Sequence, residues 1–161
     1  MKRMIGLAAG AAVAGTLGLA AIVGLAPGAA DRDGLLRPGD AALVARGQAL
    51  YAANCASCHG ADLQGEPDWR TPGADGLMPA PPHDETGHTW HHPDRVLFAI
   101  TKYGLARAAG LDDYRSAMPA YEDTLTDEQI IAILSYIKST WPEQIRLGHD
   151  ELNRRDAESR Q

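Results

Sequence analysis

Cys55-Ala56-Ser57-Cys58-His59 is the stretch of this 161-residue chain from which the rest is read. Two thiols three positions apart lie on one helical turn, and an imidazole follows directly. A dithiol redox pair uses such a spacing inside a strand–helix–strand unit, which this chain does not suggest. A zinc site would need further ligands, and the nearest histidines, His83 to His92, stand at no finger-like spacing. Covalent haem attachment needs what is present here. Both thiols can form thioethers with the vinyl groups of one porphyrin, and the histidine then lies beneath the ring with a nitrogen reaching the iron. The motif contains the only two cysteines of the chain. The pattern therefore reads as haem c, one per chain.

Composition agrees with a small helical domain built around such a group. Apolar residues make up 45% of the chain, but aromatics only 6%, with a single Phe. A large flat apolar cofactor would fill the interior that large side chains do not. Fifteen Lys and Arg against 21 Asp and Glu give a net charge of −6. A nucleic-acid partner is not expected, because binding one needs a basic surface that displaces counterions.

Residues 1–30 stand apart from the fold. Lys2 and Arg3 precede an uncharged run, residues 5–26, rich in Ala, Leu, Val and Gly. This is an export segment. The run matches the roughly 20 residues that cross a bilayer, so it can remain as a membrane anchor. Gly28-Ala29-Ala30 offers small residues for cleavage instead. Either outcome puts the remainder on the periplasmic side, because the basic flank stays inside.

Residues 31–39, with Asp, Arg, Gly and Pro, read as a linker. Asp40 can cap a helix from Ala41 to about Ala53, with Leu43, Val44, Gly47, Leu50 and Tyr51 on its apolar face. Gly60 to Pro82 is too rich in Gly and Pro for regular structure. A second helix opens at His92-Pro93-Asp94, with His92 as its cap. It buries Val96, Leu97 and Ile100 and ends at Gly104. Ala106 to Glu122 reads as loop. The best-signalled helix starts at Thr126, which forms a capping box with Gln129, while Leu125 and Ile130 form a hydrophobic staple. It carries Ile130, Ile133, Leu134 and Ile137 and stops at Trp141-Pro142. Residues 143–161, charged and polar, read as a surface extension, a short helix or a disordered segment.

With these features the chain resembles a family: the small, single-domain, His/Met-ligated monohaem cytochromes of the c type, over residues 40–142. Gly47, Tyr51 and Cys55 stand four apart, as in the family's first helix, and Ile133 and Tyr136 match the last helix that crosses it. The resemblance implies an all-α cytochrome c fold of three to four helices around one haem. It implies His59 and Met118, in Met118-Pro119, as axial ligands, and the carbonyl of Pro67 as the group that orients the His59 ring. Met78-Pro79 is the competing methionine, short of reach at 19 residues beyond His59. The stretch from Pro79 to Gly104 resembles a membrane-associated bacterial subgroup.

His83, His88, His91 and His92 cluster nearby. They are read as helix caps and, in His91 together with Trp90, as hydrogen-bond donors to haem propionates, which need such donors when buried. A second metal site, for copper, is the alternative. With both axial positions filled, the iron has no place for a substrate, so the expected role is electron transfer rather than catalysis. A five-coordinate haem sensor or catalyst is the rival. Asp112, Asp113, Glu122, Asp123, Asp127 and Glu128 would steer a redox protein with a basic docking surface.

Overall fold

The computed structural model describes residues 34–111 and 113–161. The export segment, the first residues of the linker and Asp112 lie outside these described residues. The described residues form six helices and no strand: α1 Ala41–Asn54, α2 Ala56–His59, α3 Asp94–Tyr103, α4 Leu105–Ala109, α5 Asp127–Thr140 and α6 Glu143–Glu158, with a 3₁₀ turn at Thr89–His91 before α3.

The principal contact of the fold is the crossing of α1 and α5. Both helices begin where the sequence places their caps. The Asp40 carboxylate accepts from the backbone N–H groups of Ala42 and Leu43. The Thr126–Gln129 capping box is fully formed. Leu43, Gly47 and Tyr51 of α1 face Ile130, Ile133, Leu134 and Ile137 of α5, all buried. At the closest approach no side chain fits. A Cβ on Gly47 would sit 1.9 Å from the Ala132 carbonyl oxygen and 3.0 Å from the Tyr136 Cβ. One turn along, the Tyr51 and Tyr136 rings meet at 5.6 Å between centroids.

Three stretches depart from the sequence reading. Part of the 31–39 linker belongs to the core: Leu36 is fully buried. Its N–H donates to Asp94 Oδ2 at 3.0 Å, and the Arg37 N–H donates to Ser135 Oγ at 2.9 Å. The region read as loop from Ala106 contains α4. It is a single short helix closed by Gly110 in the left-handed region, so it presents no amphipathic repeat to read. The polar extension 143–161 takes the helical alternative as α6, and departs from it in being a helix of 16 residues that buries His149 and Asn153.

Helix α6 is held by polar groups rather than by an apolar stripe. His149 and Asn153, one turn apart, are buried against the start of α3. The Asp94 N–H donates to Asn153 Oδ1 at 2.7 Å, and Asn153 Nδ2 returns a bond to Asp94 Oδ1 at 3.0 Å. His149 Nε2 donates to the His92 carbonyl at 2.9 Å. Asn153 therefore satisfies the orphan donor at the start of α3, and His92 does not: no side-chain cap is made from within the segment itself. Next to His149, Asp150 pairs with buried Lys138 of α5 at 2.5 Å. His149, Asn153 and Asp94 are each hydrogen-bonded, so the desolvation that makes their burial costly is offset.

Gly47→Ala is expected to lower the denaturant midpoint. Alanine favours helix over glycine by about 1 kcal/mol, but a methyl driven into the Ala132 carbonyl costs about 1–3 kcal/mol or more. A midpoint at or above that of the unaltered protein would show that the crossing is looser than described.

Burial is the main cause that holds His149 below its ordinary value of 6.5. Lys138 pushes the same way, and the His92 carbonyl and the Asp94 and Asp150 carboxylates oppose them. Folded His149 is neutral, while the unfolded chain takes up a proton below about pH 6.5. Stability therefore falls as pH drops through that value towards the lower folded value. Buried His83 and part-buried His88 and His92 are shifted in the same direction and add to the fall. His149→Gln is expected to flatten the pH dependence of the unfolding free energy by up to about 1.4 kcal/mol per pH unit in that window. An unchanged slope in urea titrations at several pH values would remove His149 from this account.

Candidate functional site

The motif sits where α1 ends. Cys55 closes α1, its N–H donating to the Tyr51 carbonyl at 2.8 Å. The chain then turns at once into α2, and the His59 N–H donates back to the Cys55 carbonyl at 2.9 Å. Gly60 stops this turn at φ 82°, in the left-handed region that favours glycine. Cys55 is half-buried against the core, Cys58 is exposed, and the two are not joined by a disulfide. Burial, assisted by Cys58, pushes the Cys55 thiol up to about 11. A dithiol redox pair depends on a depressed thiol pKa, and Cys55 is shifted the opposite way.

His59 is buried and its orientation is set. Nδ1 lies 2.9 Å from the Pro81 carbonyl. A carbonyl only accepts, so Nδ1 carries the proton and Nε2 keeps its lone pair. This is the arrangement a metal-binding imidazole needs. The expected carbonyl of Pro67 is replaced by that of Pro81. The loop that leaves His59 folds back on itself, with the Glu66 N–H donating to the Ala80 carbonyl at 2.9 Å. That return brings Pro81 beside the ring, a contact across 22 residues that spacing alone does not reveal. Desolvation lowers the His59 pKa, partly opposed by the Pro81 bond and the Glu66 charge.

Sequence reasoning treated His83 as one of four similar histidines, but the structure separates it from the rest. Its ring stacks on His59, with centroids 4.0 Å apart and planes 22° from parallel. Its Nδ1 lies 2.8 Å from Thr89 Oγ1, whose hydroxyl in turn points to the Pro82 carbonyl at 3.4 Å. Burial pushes the His83 pKa well below its ordinary value, and the neighbouring His59 and His88 act in the same direction. A local signal was present in His83 following Pro81-Pro82, but nothing in the pattern named His59 as its partner.

The other histidines have partners of their own. His88 stacks on Trp69 at 5.2 Å, and exposed His91 stacks on Trp90 at 3.7 Å. Among the described residues no group of three His, Cys, Asp or Glu side chains is placed to hold a metal ion. The cluster is therefore not gathered into the copper site considered as an alternative. Trp90 supplies a different signal: its indole N–H is buried with no acceptor among the described residues. A buried donor of this kind calls for an acceptor from elsewhere.

The two methionines lie in different places. Met78 is 38% exposed. It lies on the returning loop that ends at Pro81, the loop that serves the Nδ1 side of His59. Met118 is half-buried, three residues before Tyr121. The Tyr121 hydroxyl donates to the Asn54 carbonyl at 2.7 Å, and its N–H donates to the carbonyls of Thr101 and Lys102. Burial raises the Tyr121 phenol pKa, and the Cys55 and Cys58 charges raise it further, so this tyrosine stands next to the motif. The Met118 loop is thereby tied to the end of α1.

The acidic face is less acidic than its sequence suggests. Glu122 pairs with Arg107 at 2.9 Å, Asp127 with Lys102 at 2.6 Å, and Glu128 with Arg37. Exposed pairs like these add little stability, but they reduce the net field available for steering.

The unpaired thiols on one turn, the imidazole with its free Nε2 and the orphaned Trp90 N–H all fit a covalently bound haem, and the class is a c-type cytochrome. Residues 44–141 match the family model "Cytochrome c", and the chain belongs to that family of electron-transfer proteins carrying haem c. Over 98 residues it is 36% identical to the fructose dehydrogenase cytochrome subunit of Gluconobacter japonicus; this covers 58% of the present chain and 18% of the relative. The chain thus matches less than a fifth of that relative's length. No solved structure matches it.

Proposed function

We propose that this protein holds one haem c through thioethers to Cys55 and Cys58, with His59 and Met118 as axial ligands. In this role it passes single electrons between protein partners on the periplasmic face of the cytoplasmic membrane. The observation that carries this reading is the Pro81–His59 bond, which commits Nδ1 as donor and leaves Nε2 available beside two thiols that no disulfide joins. The haem, when bound, supplies an iron that exchanges one electron between two oxidation states. The protein supplies the rest. Cys55 and Cys58 fix the porphyrin at the end of α1. The Pro81 carbonyl strengthens the His59 ring as a donor. The Trp90 N–H, and His91 stacked on it, stand ready for a propionate. The Met118 loop, held by Tyr121, supplies a neutral sulfur ligand that raises the potential.

Met118 is favoured over Met78 because Met78 shares its loop with Pro81, on the Nδ1 side of the His59 ring. If His59 and Met118 both hold the iron, no position is left there for a substrate, and the protein would act as a carrier rather than a sensor or catalyst. The likeness to a dehydrogenase's cytochrome subunit supports work as part of a larger oxidoreductase. Retention at the membrane would come through residues 5–26.

Mass spectrometry of the exported protein is expected to show one haem added to the chain. Haem that extracts into acidified organic solvent would exclude the thioethers.

Met118→Ala is expected to keep both thioethers and most of the helix content. It should abolish the sulfur–iron absorption band, lower the potential and admit carbon monoxide to the iron. Met78→Ala is expected to change none of these. The reverse pattern would assign the sixth position to Met78.

A further inference from the structure

We infer that His83 is a positioning residue for the haem: its ring, stacked on His59, sets the rotation of the axial imidazole plane about the iron–nitrogen axis. The inference rests on the proposed His59 ligation and extends it. One hydrogen bond, from Nδ1 to the Pro81 carbonyl at 2.9 Å, holds one atom of the His59 ring. It leaves the ring free to tilt about that contact. A flat face at 4.0 Å and 22° removes that freedom, because any tilt drives one ring into the other.

His83 can serve as a fixed face because it is anchored at three points. Its N–H donates to the Leu63 carbonyl at 2.7 Å. Its carbonyl accepts from Trp141 Nε1 at 2.8 Å. Its ring Nδ1 bonds Thr89 Oγ1 at 2.8 Å. Leu63, Trp141 and Thr89 are all buried. The Tyr51 ring lies edge-on to His83 at 6.3 Å, and the Tyr51 hydroxyl donates to the Gly60 carbonyl, next to His59, at 2.8 Å. His83 therefore relays to the ligand the positions of both α1, through Tyr51, and the end of α5, through Trp141. Groups around a ligand act on a metal by fixing its orientation in this way.

The test uses the full haem-loaded protein in its oxidised form. The order and spread of the haem methyl resonances and the anisotropy of the electron paramagnetic spectrum report the axial ring plane directly. His83→Ala is expected to reorder the methyl resonances and change the anisotropy, while the thioethers and the sulfur–iron band remain. His83→Phe keeps a flat face and is expected to restore the order seen in the unaltered protein. Methyl resonances unchanged in His83→Ala, or displaced equally in the Ala and Phe variants, would overturn the inference. Should His83→Ala not fold, Thr89→Val decides, since it frees the His83 ring while leaving both rings in place: a changed methyl spread supports the role, and an unchanged one overturns it. Failure of the axial reading itself is separable, because an unaltered protein without the sulfur–iron band excludes Met118 while its methyl pattern still reports the His59 plane.

Discussion

The approach of α1 to α5 at Gly47 is the constraint on which the rest of the structure depends. With a Cβ position only 1.9 Å from the Ala132 carbonyl, the two backbones touch, and no other residue type permits that separation. Close packing here fixes where α1 ends, and α1 ends at Cys55. It equally fixes Trp141 at the end of α5. The two ends of the crossing thus become the two places from which the candidate site is built: the Cys55–His59 motif directly, and the His83 backbone through the Trp141 indole. A wider crossing would displace both.

The His59 environment follows from that frame. The loop between Gly60 and Pro82 has no regular structure, yet it is not loose. Leu63 is buried, and its carbonyl receives the N–H groups of both His83 and Asp84. Glu66 and Ala80 bond twice, once through the backbone and once through the Glu66 carboxylate. These contacts place the Pro81 carbonyl and the His83 ring on two different sides of one imidazole. The backbone groups of this loop are committed to one another, and its shape follows from those bonds.

The carboxy-terminal helix solves a different problem. Helix α3 begins at Asp94 with no capping side chain of its own. Asn153, 59 residues later, accepts from the Asp94 N–H, and the Asp94 carboxylate accepts in turn from Asn153 and from the Leu36 N–H. One buried acid thus joins the segment that precedes α1, the helix α3 and the helix α6. Its two partners, Leu36 and Asn153, lie 58 and 59 residues away on either side of it in the chain, so α3 is held from both directions. The segment that reads as a polar tail is in fact a structural element of the domain.

The sequence by itself determined what depends on neighbours along the chain. The Asp40 cap, the Thr126–Gln129 box, the apolar stripe of Ile130, Ile133, Leu134 and Ile137 and the two thiols with their histidine all act within a few residues. Their effect is legible because helical geometry is local. Only the tertiary structure decided what depends on contacts across the fold. Pro81 and not Pro67 supplies the carbonyl to His59, since the loop returns on itself before it reaches the ring. His83 leaves the histidine cluster for His59 because Leu63, Thr89 and Trp141 hold it there. His149 and Asn153 are polar at helical spacing, and periodicity gives such a pattern a solvent-facing reading. They are buried instead, because Asp94 and the His92 carbonyl offered hydrogen bonds that replace those lost to water, and that pairing is set by three-dimensional proximity alone.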